Sequence, residues 1–125
     1  MKLLIADDDR VLSHLLSARL GAKGWKVTLA FDAMQAMMFA MRATPDVILL
    51  DISMPGGTGV EALRKLEVST KTSQIPVVVH TGSIDPGDEP MLRGLRAAGF
   101  IMKPADLDGL HSILLQVTGT QPTPA

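Results

Sequence analysis

The chain has no cysteine, which excludes disulfides and thiol chemistry. It has no excess of either charge, with 12 Lys and Arg against 13 Asp and Glu for a net charge of −1. The basic footprint of a nucleic-acid partner is therefore missing, and none is expected. No apolar run approaches the length of a membrane span, so no membrane partner is expected either. The start, Met1-Lys2-Leu3-Leu4-Ile5-Ala6, runs straight into three aspartates without a secretory cleavage pattern. The expectation is a soluble cytoplasmic protein. No internal repeat is visible, and no linker before residue 118. What is present is hydrophobic: 46% of 125 residues are apolar, enough for one folded domain with a real core.

Short apolar runs alternate with longer helical patterns. Leu3 to Ala6, Val27 to Phe31, Val47 to Leu50, Ile75 to Val79 and Phe100 to Met102 are continuous, as strands buried on both faces of a parallel sheet are. Between them, Val11, Leu12, Leu15, Leu16 and Leu20 form a helical stripe behind a cap at Asp9. Met34, Met37, Met38 and Met41 recur at helical spacing behind Asp32, and core packing is the expected role of that stripe. Further helices are expected over Thr58 to Val68, Asp88 to Ala98 and Ala105 to Val117, with Asp106 and Asp108 as caps of the last. Pro90 and Gly94 weaken the helix over 88–98. The pattern predicts an α/β fold, a doubly wound parallel sheet of five βα units in the flavodoxin-like order 2-1-3-4-5. Residues 1–118 form the predicted domain, and 119–125 are too polar and Pro-rich to pack, hence a flexible tail or the start of a linker.

Sheets of this kind bind ligands outside the carboxyl ends of their strands, where the strand order reverses. The residues at those ends are Asp7 and Asp8, Asp51, Thr81 and Lys103. Strand order brings Asp8 opposite Asp51 and Thr81 beside them, and the long stem of Lys103 spans the remaining gap. Three carboxylates in one crevice repel each other, and a hard divalent cation such as Mg²⁺ relieves that repulsion. Lys103 adds positive charge for the oxygens of an incoming phosphoryl group, and a carboxylate in such a setting can act as a nucleophile toward phosphorus. Taken singly, each residue has a plainer reading, as a helix cap, a strand residue or a surface lysine. In this order, each at a strand end, they form a set.

These residues carry a resemblance that covers nearly the whole chain. Leu4-Ile5-Ala6-Asp7-Asp8-Asp9, Asp51-Ile52-Ser53-Met54-Pro55-Gly56-Gly57-Thr58-Gly59, Val77-Val78-Val79-His80-Thr81 and Lys103-Pro104 resemble the motifs of response-regulator receiver domains. The resemblance implies a two-component signalling module that takes a phosphoryl group on Asp51 from a sensor histidine kinase or a histidine phosphotransfer domain, and then switches a surface read by a downstream output protein or domain. It implies Mg²⁺ held by Asp8, Asp51 and the main-chain carbonyl of Ser53, with Asp7 acting through water. Thr81 and Lys103 would bond the phosphoryl oxygens, Thr81 and Phe100 would form the switch, and the Lys103–Pro104 peptide would be cis. Such a module is a phosphoacceptor that assists its own phosphorylation and dephosphorylation, not an enzyme acting on a separate substrate.

Four features depart from the family pattern: Gly82 after Thr81, Arg96 in place of a glycine, Phe100 in place of a tyrosine, and the Pro- and Gly-rich stretch Ser83 to Pro90. All concern how a signal leaves, none the phosphorylation chemistry. Two other readings stand beside the leading one. A degenerate receiver would be an interaction module only, against which the intact acidic, hydroxyl and lysine set argues. A dehalogenase-type Asp phosphatase normally has a second Asp two residues after the first, where this chain has Ser53. His14, His80 and His111 share no ligand spacing and are read as incidental.

Overall fold

A computed structural model describes residues 1–52, 59–82 and 97–119. Five strands, β1 (Lys2–Ala6), β2 (Lys26–Ala30), β3 (Val47–Leu50), β4 (Val77–Thr81) and β5 (Gly99–Met102), form one parallel sheet in the order β2-β1-β3-β4-β5. Among the described residues there are four helices: α1 (Arg10–Gly21), α2 (Ala33–Ala43), α3 (Gly59–Val68) and α4 (Leu107–Val117).

The inner strands β1, β3 and β4 bury both faces, whereas the edge strands β2 and β5, expected to do the same, stay partly open to solvent because each has a neighbour on one side only. Leu4, Ala6, Ile48, Leu50, Val77 and Val79 face α2 and α3, meeting Ala36, Ala40, Leu63 and Leu66. Their alternating neighbours Leu3, Ile5, Val47, Leu49 and Val78 face α1 and α4, meeting Leu16, Leu20, Leu110 and Leu114. Because successive strand residues point to opposite faces, a strand sandwiched between helix layers is apolar at nearly every position; β4 departs from this at its end, where His80 and Thr81 are buried.

Three helices start where their capping aspartates place them. Asp9 accepts from the Leu12 N–H at 3.0 Å, Asp32 from Gln35 at 2.7 Å and Asp106 from Gly109 at 2.6 Å. Each such cap is worth about 1 kcal/mol. The cap of α4 is Asp106, and Asp108, also expected as a cap, lies within the first turn.

Two expectations need correction. The methionine stripe is not core: Met34 is 76% exposed, and Met38 and Met41 are 37% and 40% exposed. The buried face of α2 consists of Ala33, Ala36 and Ala40, small residues that let the helix lie close to the sheet and leave the long side chains outside. Of the four methionines, Met37 alone packs against the core cluster. Second, β4 begins two residues later than its apolar run. The Ile75 N–H closes a turn onto the Thr72 carbonyl, and Pro76 has no N–H to give a ladder. The helix expected over 88–98 lies, up to residue 96, outside the described residues, and of its range only Ala97 and Ala98 are described, neither of them helical.

Candidate functional site

At the carboxyl end of the sheet, the first residue beyond a strand repeatedly bonds back to the strand beside it. The Asp7 N–H donates to the Ala30 carbonyl at 3.0 Å, Asp51 to Ala6 at 2.8 Å and Lys103 to Thr81 at 2.8 Å. These bonds continue the ladder by one step and hold three chemistry-bearing residues at the sheet's edge. The backbone of the scaffold, not loop chance, positions them.

Their side chains converge. Lys103 Nζ donates to Asp7 Oδ2 at 2.6 Å and to Asp51 Oδ2 at 3.1 Å. The remaining Asp7 oxygen, Oδ1, accepts from the Asp9 N–H at 2.9 Å. One carboxylate oxygen from each of Asp7, Asp8 and Asp51 lies within 4.8 Å of the other two. Asp7 and Asp51 are buried, while Asp8 is exposed at the mouth. The Lys103–Pro104 peptide is cis.

Electrostatics follow from that geometry. Burial raises the Asp7 carboxyl above its usual range, and the hydrogen bonds from Lys103 and the Asp9 N–H only partly offset this. Burial also works against the charge of Lys103, but its bonds to Asp7 and Asp51 outweigh it and raise the ammonium above its usual value. One lysine cannot balance three carboxylates. The donor set is all hard oxygen and leaves two negative charges uncompensated when all three ionise, which fits a small divalent cation such as Mg²⁺.

Thr81 is buried at the end of β4, beside the strand that leads into Asp51. Phe100 pairs with Val79 in β5 and is 37% exposed. Ser53 lies outside the described residues.

Sequence reading passed over three contributors. Ser13 is buried on α1 and its hydroxyl donates to the Asp7 carbonyl at 3.4 Å. The Arg10 guanidinium lies over the Phe31 ring at 4.1 Å, bracing the turn after β2 against α1. His80, read as incidental, is 4% exposed, and burial followed by the nearby Lys103 charge lowers its imidazole to about 4. The signal for His80 was available, since any polar residue inside a strand buried on both faces is itself buried.

The family model for the response regulator receiver domain matches residues 3–115. This chain belongs to that family. Among curated relatives of the receiver, Response regulator PleD of Caulobacter vibrioides is 39% identical over 107 residues, covering 84% of this chain and 23% of PleD. The receiver thus spans about a quarter of that relative's length. Among solved structures, the chemotaxis protein CheY4 of Vibrio cholerae superposes with a TM-score of 0.86 at 28% identity, covering 93% of this chain and 97% of CheY4. The receiver domain of the sensor histidine kinase PA1611 from Pseudomonas aeruginosa, solved with a magnesium ion coordinated in its active-site cleft, has a TM-score of 0.86 at 27% identity, with coverage of 95% and 98%. Among the described residues of this receiver, no helix is long and apolar enough to cross a membrane.

Proposed function

We propose that this receiver accepts a phosphoryl group on Asp51 from a phosphohistidine of a sensor histidine kinase or histidine phosphotransfer domain in the cytoplasm, in a Mg²⁺-dependent reaction. A carboxylate oxygen of Asp51 attacks phosphorus as the P–N bond to the donor imidazole breaks, leaving an acyl phosphate. The observation that carries this reading is Lys103 Nζ lying 3.1 Å from Asp51 Oδ2 beside two further carboxylates. That lysine is placed to bond an oxygen of the incoming group, and positioning with charge neutralisation supplies most of the catalysis in phosphoryl transfer.

Asp8, Asp51 and the Ser53 carbonyl would hold Mg²⁺, whose contribution is to neutralise charge on the transferring oxygens. Both oxygens of Asp7 are already engaged by Lys103 and the Asp9 N–H, which supports a water-mediated role for Asp7 and a direct one for Asp8. The Thr81 hydroxyl would bond a phosphoryl oxygen, drawing the end of β4 inward. Phe100 in the neighbouring strand would then turn inward and alter the surface offered to an output protein or domain. Residues 1–118 would form the receiver unit, with 119–125 as tail or linker.

Incubation with acetyl phosphate and Mg²⁺, followed by intact mass, tests the reading. Wild type should gain one labile phosphate, and Asp51→Asn should gain none while remaining folded. Phosphate on Asp7 or Asp8 in wild type would overturn the assignment. Turnover of an added phosphomonoester would point to a phosphatase instead, and no modification at all to a pure interaction module.

A further inference from the structure

Helix α2 turns an apolar face to solvent. Met34, Met38 and Met41 are exposed on the side opposite the buried alanines, and Arg42 is the single charged residue between Ala33 and Ala43. Among the described residues no other helix carries three exposed large apolar side chains. Single apolar residues on a surface are ordinary, but a continuous stripe of them marks a contact face. Methionine suits such a face, being apolar and adaptable in shape.

The spacing says what covers it. Steps of four and then three residues set the methionines along one seam, the repeat by which helices pair side by side. Met34 and Met41 lie about 5 Å either side of a midpoint between residues 37 and 38. Turning the helix end over end about that point exchanges Met34 with Met41 and brings Met38 close to its own copy.

The charges follow the same symmetry. Asp32 caps one end of α2 and Arg42 stands in its last turn, and their midpoint falls within one residue of the methionine midpoint. Asp32 Oδ1 accepts from the Gln35 N–H at 2.7 Å, and neither Asp32 nor Arg42 has an ion pair among the described residues. Gln35, seven residues before Arg42, lies on the same flank of the seam. Other charges near the two ends are engaged: Lys2 Nζ donates to the Ala43 carbonyl at 3.4 Å, Asp46 accepts from the Lys2 N–H at 2.7 Å, and Arg10 lies over Phe31.

We propose that α2 is a self-association face, on which two copies of this chain pair their α2 helices antiparallel across a two-fold axis near residues 37 and 38. Met34 would meet the partner's Met41, Met38 the partner's Met38, and Arg42 the partner's Asp32, each contact occurring twice or on the axis. A helix of 11 residues is about 16 Å long, and one such pair covers less than the roughly 800 Å² per partner of a stable complex. The association is therefore weak, with a dissociation constant on the order of 0.1–1 mM. It gains weight where two copies are already held close, because tethering raises the effective concentration to about millimolar. The inference does not depend on the phosphorylation chemistry.

Amide shifts of the full chain, recorded from about 0.05 mM to about 1 mM, test it. Concentration-dependent shifts are expected over 32–42, and none over α1 or α4. Arg42→Glu sets like charges against the partner's Asp32 twice and should weaken association about tenfold. Met38→Lys should abolish it. Both positions are exposed, so the fold should tolerate either change. Because the chain has no cysteine, Met38→Cys supplies a single thiol on the axis. Mild oxidation should join it into a covalent dimer faster than it joins Val11→Cys, which is more exposed but lies on the other face of the sheet. Shifts independent of concentration would overturn the proposal and leave the face to a different protein. Association unchanged in Arg42→Glu or Met38→Lys, or equal cross-linking of the two thiols, would overturn it as well.

Discussion

Lys103 Nζ stands between carboxylates from two different strands, 2.6 Å from Asp7 Oδ2 and 3.1 Å from Asp51 Oδ2. The link joins the loop after β5 to the ends of β1 and β3, across 96 residues of sequence. It holds the crevice together before any ligand arrives. Lys103→Met leaves two buried carboxylates without their cation. The expected loss is about 1–3 kcal/mol at neutral pH, less than the roughly 3–5 kcal/mol for a fully buried pair because Lys103 is partly solvated. Burial already raises the Asp7 carboxyl and the variant removes the Lys103 bond that offsets this, so the deficit should shrink as the pH falls and Asp7 takes up a proton. Urea unfolding across pH checks this; a deficit that grows on acidification would contradict it.

The two faces of α2 should respond in opposite ways. Ala40 is fully buried against the sheet, and Ala40→Leu should cost about 1–3 kcal/mol by overpacking. Met34 projects outward, and Met34→Gln should change stability by less than about 0.5 kcal/mol. Comparable losses in both variants would restore the methionines to the core.

His80 is kept neutral by burial, and its imidazole titrates at about 4 instead of 6.5. The unfolded chain therefore binds more protons between those values. The contribution of His80 is complete above the unfolded value and declines as pH drops toward the folded one. The fall from 6.5 to about 4 bounds the loss at about 3 kcal/mol. Chemical denaturation from pH 7.5 to 4 should show a shallower slope in His80→Phe than in wild type, and identical slopes would refute the assignment.

Trp25 should report poorly on the crevice. It immediately precedes β2, whose first residue Lys26 pairs with Lys2 at the amino end of the sheet, and its ring meets His111 edge-on at 6.1 Å. Addition of Mg²⁺ should leave tryptophan emission nearly unchanged. Strong quenching would mean that metal binding reorganises the far end of the fold.

Phe100 is 37% exposed and its strand neighbour Val79 is fully buried, so inward rotation of the ring exchanges exposure for burial. Complete burial of such a side chain is worth roughly 1.5–3 kcal/mol, and Phe100 can gain only part of this. With beryllium fluoride standing in for the phosphoryl group, hydrogen exchange should slow over 77–82 and 99–103 and stay constant over α2. Equal protection in both states would leave the phosphoacceptor chemistry intact but defeat this route for the signal.

The amino-acid sequence by itself determined the layer architecture and the identity of the crevice residues. Strands buried on both faces are apolar at nearly every position, helices between parallel strands cross over right-handed, and polar residues ending such strands have one crevice to enter. Asp7, Asp8, Asp51 and Lys103 were therefore legible before any coordinates. Tertiary structure alone decided which side of α2 was buried, because four methionines and four alanines share that helix and only its packing against the sheet chooses between them. It also decided that β4 begins at Val77, since the donors just before it belong to a turn.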